Sequence, residues 1–396
     1  MGKQGGTVYK LIARCVALFY AVCRLFPKRN RITFFSRQGK RGSLDFRMLA
    51  DAVREKCPQI DVRICATDPE NVDKKAFILS MPSMLYHAAT SRVCVLEGYI
   101  PAISIPKLDS QTRVIQLWHA LGAIKKFGYQ SIDTPAGRSL DEATALRMHK
   151  NYDWIIAAGP GAVSAYAEAF GYSRDAIRPL GMPRMDYLLD NSSASKRLAK
   201  ASDLRERFSC LGDGVMRVLY VPTLRKGEGA HGWMTREVER LSRAFRPYRC
   251  RVIVAGHPLD EGCDSGTLEK LSNVAAIPGV ASIDLIASSD CVVTDYSAIA
   301  FEAGLAGKPV WFYAPDVEQY RQSPGLNIDP LKEFPDGAFD DPDELASAIG
   351  CGKMPRKFTE YIIRYFGDVE LGATSKLAEF VEECYLDTFG NGKGKN

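Results

Sequence analysis

The stretch Ser289-Asp290-Cys291-Val292-Val293-Thr294-Asp295-Tyr296-Ser297-Ala298 has the pattern of a buried strand that turns directly into a helix. The apolar run 291–293 predicts the strand, and the residues 298–306 predict the helix, with Ser297 as its N-cap. A helix N-terminus at the carboxyl end of a strand favours an anion, because its free N–H groups and its dipole point to one place. An ordinary turn with a capping serine explains the same residues equally well.

The alternation of strands and helices extends over the whole chain and predicts an α/β protein with parallel sheets. Strands are predicted at 32–36, 62–66, 93–96, 114–118, 154–158, 218–221, 251–255, 290–294 and 309–313. Helices are predicted at 43–56, 160–170, 195–208, 232–245, 342–349 and 358–388. The pattern indicates two doubly wound, Rossmann-like domains, and a cleft between two such domains is the usual place for a ligand.

The predicted domains follow from breaks in this pattern. Residues 1–28 form a membrane-interface helix, 29–190 the N-terminal domain, 191–214 a linker and helix, 215–355 the C-terminal domain, and 356–396 closing helices with a disordered tail. For a chain of 396 residues, two domains of roughly 100–200 residues each are the expected number.

Composition excludes several classes of protein. The net charge of +5 is too small for a typical nucleic-acid binder, and no pair among the eleven cysteines has C-x-x-C spacing, so neither a disulfide framework nor a zinc site is expected. P-loop, G-x-G-x-x-G and G-x-S-x-G motifs are missing. The one D-x-D, Asp341-Pro342-Asp343, is typical of a helix start, with Asp341 as the cap, and no metal site is evident.

The N-terminal segment 7–26 is apolar except for three basic residues. Lys10, Arg14, Arg24 and Lys28 fall on one narrow helical face, and the remaining circumference is apolar and includes Phe19 and Phe26. This pattern favours a helix lying in the membrane interface, with Lys28, Arg29 and Arg31 attracted to anionic headgroups. The arginines disfavour a signal peptide and a spanning helix, whereas a core helix of a soluble protein stays open as an alternative.

Two of the five histidines follow predicted strands, one in each domain. His119 ends the run Val114–Trp118, and His257 ends the run Arg251–Gly256. Because ligands bind at the carboxyl ends of the strands in open α/β sheets, these two histidines are the candidates for catalysis. The other three lie on predicted helices or in a flexible loop and are weaker candidates.

Hydroxyl and basic residues follow two strands of the second domain. Thr223 and Arg225 come after the strand 218–221, at the same edge of the sheet as Asp295 and Ser297. A guanidinium that gives bidentate bonds, a hydroxyl and a helix N-terminus form a plausible diphosphate site, although a solvated basic loop is the simpler alternative. Asp295 is harder to place, because a carboxylate repels a diphosphate, and it is expected to orient His257, Arg225 or the hydroxyls of a substrate.

These motifs together resemble the CDP-glycerol glycerophosphotransferase family, whose members prime and polymerise teichoic acid. The matching pieces are Gln116-Leu117-Trp118-His119 with Lys125-Lys126 and Gly128, Gly181-Met182-Pro183-Arg184-Met185-Asp186, Tyr220-Val221-Pro222-Thr223-Leu224-Arg225, Gly256-His257-Pro258, and Thr294-Asp295-Tyr296-Ser297 with Lys308-Pro309-Val310. The resemblance implies a GT-B-like fold of two facing Rossmann-like domains, with a nucleotide-binding C-terminal domain, and a peripheral position at the cytoplasmic face of the membrane.

The resemblance also implies a reaction. Glycerol phosphate is expected to pass from CDP-glycerol to a hydroxyl of a polyprenyl-diphosphate-linked saccharide, with release of CMP. His119 is expected to be the general base, and His257, Thr223, Arg225 and Ser297 to hold the diphosphate. The acceptor phosphate is expected at Lys125, Lys126 and Arg184. No cofactor is expected, and a divalent ion that arrives with the diphosphate stays open.

Two departures from the family pattern leave the substrate open. Ala120 stands where the family usually has glycine, and Ala298 where it has a second serine. CDP-ribitol or another CDP-polyol is therefore an alternative donor. Two further alternatives are a GT-B glycosyltransferase that uses a nucleotide sugar and a membrane scaffold without catalytic activity. The length of the chain favours a priming enzyme over a polymerase.

Overall fold

The computed structural model describes residues 4–39, 42–67, 74–189, 191–212, 214–225, 231–255, 265–268 and 270–390. The chain forms two compact units. The first unit contains residues 1–121, 126–186 and 369–396, and the second contains 122–125 and 187–368. The last helix thus belongs to the first unit. Apart from the short segment 122–125, the units change at 186/187 and 368/369, whereas the predicted linker was 191–214 and the predicted closing segment 356–396.

The first part of the chain alternates strands and helices. Its elements are α1 (Gln4–Cys23), β1 (Arg31–Ser36), α2 (Leu44–Lys56), β2 (Asp61–Ala66), α3 (Lys74–Thr90), β3 (Val93–Leu96), α4 (Pro101–Ser104), β4 (Arg113–Gln116), α5 (Leu140–Ala145), β5 (Trp154–Ile156), α6 (Val163–Phe170), β6 (Ile177–Arg178) and α7 (Pro183–Leu189). Its six strands form one parallel sheet in the order β2-β1-β3-β4-β5-β6.

The second part repeats the plan. Its elements are α8 (Asn191–Arg207), β7 (Met216–Tyr220), α9 (Trp233–Phe245), β8 (Cys250–Val254), α10 (Ser265–Leu268), β9 (Val274–Ala276), α11 (Ser282–Ser288), β10 (Cys291–Thr294), α12 (Ile299–Leu305), β11 (Val310–Tyr313), α13 (Val317–Gln322), α14 (Pro330–Glu333), β12 (Ala338–Phe339), α15 (Pro342–Gly350), α16 (Arg356–Phe366) and α17 (Ala373–Asp387). A second parallel sheet has the order β12-β11-β10-β7-β8-β9. The α/β class with parallel sheets is confirmed.

Helix α2 shows how the sequence builds these layers. The Ser43 side chain accepts a hydrogen bond from the Phe46 N–H and caps the helix. Phe46, Leu49 and Val53 are buried at helical spacing against the sheet, whose strand β1 is buried at all six positions. Burial of each such side chain stabilises the fold by roughly 1.5–3 kcal/mol relative to exposure.

Several predicted elements need correction. Ser297 is not the N-cap of α12, because Ala298 holds that position and the Ser297 Oγ accepts only a long bond of 3.5 Å from the Ile299 N–H. The predicted helix 358–388 is two helices, because the chain turns at Gly367 and Gly372, which both have positive φ. The cap at Asp341 is confirmed: its side chain accepts from the N–H groups of residues 343 and 344.

Each sheet has a switch point, where the strand order changes direction and ligands bind in open α/β folds. In the first sheet it lies between β1 and β3, and in the second between β7 and β10. Ser36 is the last residue of β1, and the loops that follow β1 and β3 carry Ser43 and Glu97. In the second unit the loops that follow β7 and β10 carry Thr223, Arg225, Asp295 and Ser297, so the strand ends predicted for the donor site adjoin the switch point.

Helix α1 carries an exposed apolar surface. Leu11, Leu18 and Phe19 are exposed on it, and Leu25 and Phe26 are exposed just beyond its end. Among the helices that the structure describes, none is both long and apolar enough to span a bilayer. Lys10 and Arg14 are also exposed.

Two of the three basic residues expected to attract headgroups, Lys28 and Arg31, bind protein groups instead. The Lys28 Nζ donates to the Ser91 carbonyl at 2.9 Å, and burial lowers its pKa. Arg31 is buried and pairs with Asp61 at 2.8 Å. Arg24 pairs with Asp109 at 3.2 Å, whereas Arg29 is exposed.

Candidate active site

Arg225 lies at the centre of a buried charge network in the second unit. Its Nε and Nη2 donate to the two oxygens of Asp316, both at 2.9 Å. Its Nη1 donates to the Asp295 carboxylate and to the Thr223 carbonyl, both at 2.6 Å. Only 9% of the Arg225 side chain is exposed and Asp295 is fully buried, so these bonds form with little competition from water.

Aromatic rings cover the guanidinium of Arg225. Its Cζ lies 3.8 Å from the ring centre of Trp233 and 4.8 Å from that of Tyr320. Tyr320 stacks on Tyr296 with 4.0 Å between ring centres. The two carboxylates raise the pKa of Arg225 against the opposing effect of burial, so the guanidinium stays charged.

These contacts bear on the expected role of Arg225 in holding the diphosphate, which stays a prediction. A guanidinium has five N–H bonds that can donate. Here the N–H of Nε, both N–H bonds of Nη1 and one N–H bond of Nη2 already have partners. The bidentate edge expected to bind a diphosphate is occupied by Asp316. One cation beside two carboxylates leaves these three side chains with a negative formal charge, so the attraction for a diphosphate has to come from neighbouring groups such as the Lys125 ammonium.

The same network explains Asp295. One of its oxygens accepts from the Thr223 N–H at 2.8 Å and from the Tyr296 N–H, and the other accepts from Arg225. Asp295 therefore joins the loop after β7 to the loop after β10. The expectation that this carboxylate orients Arg225 agrees with these contacts, and what it holds in place is the backbone of Thr223.

Lys125 lies beside Thr223 in the second unit. Its Nζ is 3.5 Å from the Thr223 Oγ1. Its backbone forms an antiparallel bridge with Leu326, and the Asn327 side chain donates to its carbonyl at 3.2 Å. Gly122 permits this path, because a Cβ at that position would overlap the Phe301 ring. Lys125 is thus next to the predicted donor residues, whereas Lys126 is half-buried and belongs to the first unit.

His119 follows β4 in the first unit, and the backbone before it is tightly held. The buried Gln116 side chain accepts from the N–H groups of Gly98 and Trp118 and donates to the Gly98 carbonyl at 2.9 Å. Trp118 has φ of 62°, a left-handed conformation that costs free energy in a non-glycine residue. The turn that presents His119 is therefore strained and fixed by a side-chain amide.

The His119 ring is placed to remain neutral. Its Nδ1 is buried and has no hydrogen-bond partner among the residues that the structure describes. Burial lowers the pKa of His119 to about 4, and the charge of Arg184 acts in the same direction. The Glu97 backbone, as a hydrogen-bond partner, and the Asp45 charge oppose this shift.

Arg184, expected to bind the acceptor phosphate, is paired with a protein carboxylate. Its N–H and Nε donate to Asp45 at 2.7 and 2.6 Å, and its Nη2 lies 2.5 Å from the same carboxylate. Asp45 is fully buried, and 13% of the Arg184 side chain is exposed. Asp45 largely balances the charge of Arg184, and the expected role of Arg184 at the acceptor phosphate stays a prediction.

Sequence reasoning missed Glu97, at the switch point of the first sheet. Its carboxylate accepts from the Ser36 Oγ, from the Ser43 N–H at 3.2 Å and from the Ser43 Oγ at 2.5 Å. Burial raises the pKa of Glu97 to about 7, and these hydrogen bonds act against burial. The sequence feature that could have identified Glu97 is a carboxylate directly after a buried strand. Asp316 was also missed, and it comes shortly after β11.

Two predictions are not tested by the structure. His257 and the residues around it lie outside the described part of the chain. Within the described residues, no cluster of three or more His, Cys, Asp or Glu side chains could hold a metal ion. The expectation that no resident cofactor is needed therefore stays a prediction.

Comparison with known proteins matches most of the chain to one family. The family model for CDP-Glycerol:Poly(glycerophosphate) glycerophosphotransferase covers residues 17–369. A teichoic acid ribitol-phosphate primase of Bacillus spizizenii is 32% identical over 321 residues, 80% of this chain and 78% of the primase. A teichoic acid glycerol-phosphate primase of Bacillus subtilis is 24% identical over 340 residues, 84% of this chain and 82% of that protein.

A solved structure supports the fold. The wall teichoic acid polymerase TagF superposes with a TM-score of 0.71 over 99% of this chain and 100% of that chain. Since the two sequences are only 16% identical, this comparison shows that the two proteins share a fold and nothing more.

Proposed function

Because the chain belongs to the CDP-glycerol:poly(glycerophosphate) glycerophosphotransferase family, we propose that it transfers a polyol phosphate from a CDP-polyol to a lipid-linked acceptor in teichoic acid synthesis. The acceptor is a hydroxyl of a polyprenyl-diphosphate-linked saccharide, and CMP is released. The family match over residues 17–369 carries this proposal. Polar residues at both switch points support it.

The proposed chemistry is an in-line displacement at phosphorus. The acceptor oxygen bonds to the phosphorus that bears the polyol, the bond from this phosphorus to the bridging oxygen breaks, and CMP leaves with that oxygen. His119 takes the proton of the acceptor hydroxyl as general base. A pKa near 4 leaves the imidazole free to accept this proton at neutral pH, although it makes the base a weak one.

The donor diphosphate is proposed to bind at the switch point of the second sheet. Thr223 and Lys125 supply a hydroxyl and an ammonium within 3.5 Å of each other. Arg225 and Asp295 fix the Thr223 backbone on which this site depends. His257 and Ser297 stay in the proposed site because they match the family motifs.

CDP-ribitol is the donor that we test first. The relative named as a ribitol-phosphate primase is 32% identical, against 24% for the one named as a glycerol-phosphate primase. The motifs alone predicted CDP-glycerol and kept ribitol as an alternative. The higher identity to the ribitol-phosphate primase, over 80% of this chain, is the observation that favours ribitol.

When the donors are tested one at a time, we expect CMP release from CDP-ribitol or CDP-glycerol that depends on the lipid-linked acceptor. The measurement is nucleotide release from each CDP-polyol and from UDP-sugars, with and without acceptor. Release of UDP would instead indicate a GT-B glycosyltransferase. Lack of turnover with every donor, together with lack of binding to CDP-polyols, would favour a scaffold.

We also propose that the protein is peripheral at the cytoplasmic face of the membrane, through the apolar surface of α1. Leu18 is 71% exposed and Leu25 is 84% exposed, although burying such side chains is favourable. Lys10 and Arg14 are exposed on the same helix and can contact anionic headgroups. Arg24 contributes less, because Asp109 pairs with it.

Charged residues on this surface are expected to weaken membrane binding. The double variant Leu11→Glu/Leu18→Glu should lose most of its co-sedimentation with vesicles that contain anionic lipid, because two carboxylates would enter the interface. Leu198→Glu is the matched control, since Leu198 is 67% exposed on α8. Equal sedimentation of the double variant and the control would contradict the proposal.

A further inference from the structure

The residue before His119 carries an aromatic side chain that the proposed reaction does not use. The Trp118 indole packs against the His119 imidazole, with 4.1 Å between ring centres and 37° between ring planes. We propose that Trp118 is a positioning residue, whose ring fixes the orientation of the His119 imidazole and stabilises the positive charge that the imidazole gains in the reaction. This inference rests on the proposed function of His119 as general base and adds to it the residue that holds the base.

Two phenylalanines hold the Trp118 ring in turn. The indole stacks on Phe127, with 4.9 Å between ring centres and 17° between ring planes. Phe170 meets the indole edge to face at 5.2 Å and meets the Phe127 ring at 5.4 Å. Aromatic pairs prefer these stacked and edge-to-face arrangements, which stabilise beyond the area that they bury. The imidazole of His119 therefore packs on a ring that has little freedom to turn.

The same aromatic cluster includes two residues with a strained backbone. Trp118 has φ of 62° and His149 has φ of 55°, both in the left-handed region. Their rings lie 6.2 Å apart, and the His149 ring lies 4.9 Å from that of Phe170. Arg147 and Asn151, on either side of His149, are left-handed as well. Non-glycine residues keep this conformation only where the surrounding structure holds it, and such residues cluster at functional sites.

Hydrogen bonds hold the strained loop in place. The Asn151 side chain donates to the carbonyls of Ile103 and Pro106, both at 2.7 Å. His149 is buried, and its Nδ1 lies 3.1 Å from the Tyr152 hydroxyl. The loop before β5 is thus fixed against the end of α4, and it supports the Trp118 ring from the side of His149.

The indole also affects the proton transfer itself. When His119 takes the proton of the acceptor hydroxyl, the bond between that proton and the acceptor oxygen breaks, and the imidazole becomes a cation. The short distance and small tilt place this cation against the face of the Trp118 indole, which attracts positive charge. Because the imidazole is neutral before this step, the attraction is stronger in the transition state and acts on kcat rather than on substrate binding.

The first test is the rate of CMP release by Trp118→Leu, which removes the aromatic ring. We expect kcat to fall by roughly tenfold, with little change in KM for the donor, because the proposed diphosphate residues belong to the second unit. Trp118→Phe keeps an aromatic ring and should recover most of the lost kcat. Trp118→Gly relieves the left-handed backbone but lacks the ring, so its kcat should be as low as that of Trp118→Leu.

Trp154→Leu is the matched control, because Trp154 is also a half-buried tryptophan of the first unit. The Arg178 guanidinium lies 4.2 Å from the centre of its ring. Loss of this ring should lower the stability of the protein but leave kcat unchanged. Equal losses of kcat in Trp118→Leu and Trp154→Leu would overturn the inference, and so would a wild-type kcat in Trp118→Leu.

The second test is an NMR measurement of the ring contact, which does not depend on turnover. With the five histidines isotopically labelled, the His119 resonances are assigned by their disappearance in His119→Gln. The ring current of an indole 4.1 Å away displaces the chemical shifts of the imidazole protons. Trp118→Leu should therefore move the His119 shifts toward those of free histidine, whereas Trp154→Leu should not move them.

Unchanged His119 shifts in Trp118→Leu would contradict the proposed contact. If Trp118→Leu does not fold, Trp118→Phe decides instead, because the weaker ring current of a benzene ring should move the same shifts by a smaller amount. If the wild type releases no CMP, the proposed function fails, while the His119 shifts still test the contact with Trp118.

Discussion

Replacing His119 with alanine is expected to reduce acceptor-dependent CMP release by about 10²- to 10⁴-fold, the share that a positioned general base contributes to catalysis. The reason is that the ring is neutral at physiological pH and is presented by a strained turn at the end of β4. The measurement is the rate of CMP release at saturating donor and acceptor.

Donor affinity separates this effect from a damaged fold. Because the proposed diphosphate residues belong to the second unit, the Kd for the CDP-polyol should change by less than about twofold in the His119 variant. His87→Gln is the control, since His87 lies on α3 and bonds to Arg31. A His119→Ala enzyme with wild-type turnover would show that another group accepts the proton.

Replacing Arg225 with alanine is expected to lower the free energy of unfolding by about 3–5 kcal/mol, the cost of removing one partner from a buried ion pair. Both Asp295 and Asp316 would lose their counter-charge, and the Thr223 backbone would lose its bond to the guanidinium. Arg225→Lys should also lose stability, because an ammonium cannot reproduce the planar fork. Chemical denaturation measures both effects.

Arg217 provides the control for this prediction. It pairs with Asp290 in the same sheet, but 42% of the Asp290 side chain is exposed. Solvent screening should limit the cost of Arg217→Ala to about 1 kcal/mol. If both alanine variants lose the same free energy of unfolding, the Arg225 network stabilises the protein no more than a partly exposed ion pair does.

The strand pattern allowed the fold to be predicted because buried parallel strands are continuous apolar runs. The predicted strand at 93–96 has the observed bounds, and the others differ at their ends by one or two residues. The edge strands β6, β9 and β12 were missed, because two or three residues show no periodicity. The break between α16 and α17 depends on Gly367 and Gly372, whose role follows from φ rather than from hydrophobic spacing.

The sequence predicted where the candidate site residues lie, but it did not predict which charged residues pair with one another. The rule that ligands bind at strand ends brought Thr223 and Asp295 together, and they are joined at 2.8 Å. The sequence could not show that Asp316, 91 residues from Arg225, occupies the guanidinium edge. The same limit hid the pairing of Arg184 with Asp45, since it depends on the packing of α7 against the start of α2.

The most direct test of the proposed function is the mass of the lipid-linked acceptor after incubation with the enzyme and a CDP-polyol. We predict that the acceptor gains the mass of one or more whole polyol phosphate units, and that the CMP released equals the number of units added. An acceptor that gains a sugar from a nucleotide sugar, or an acceptor that stays unchanged while the CDP-polyol is consumed, would contradict this account.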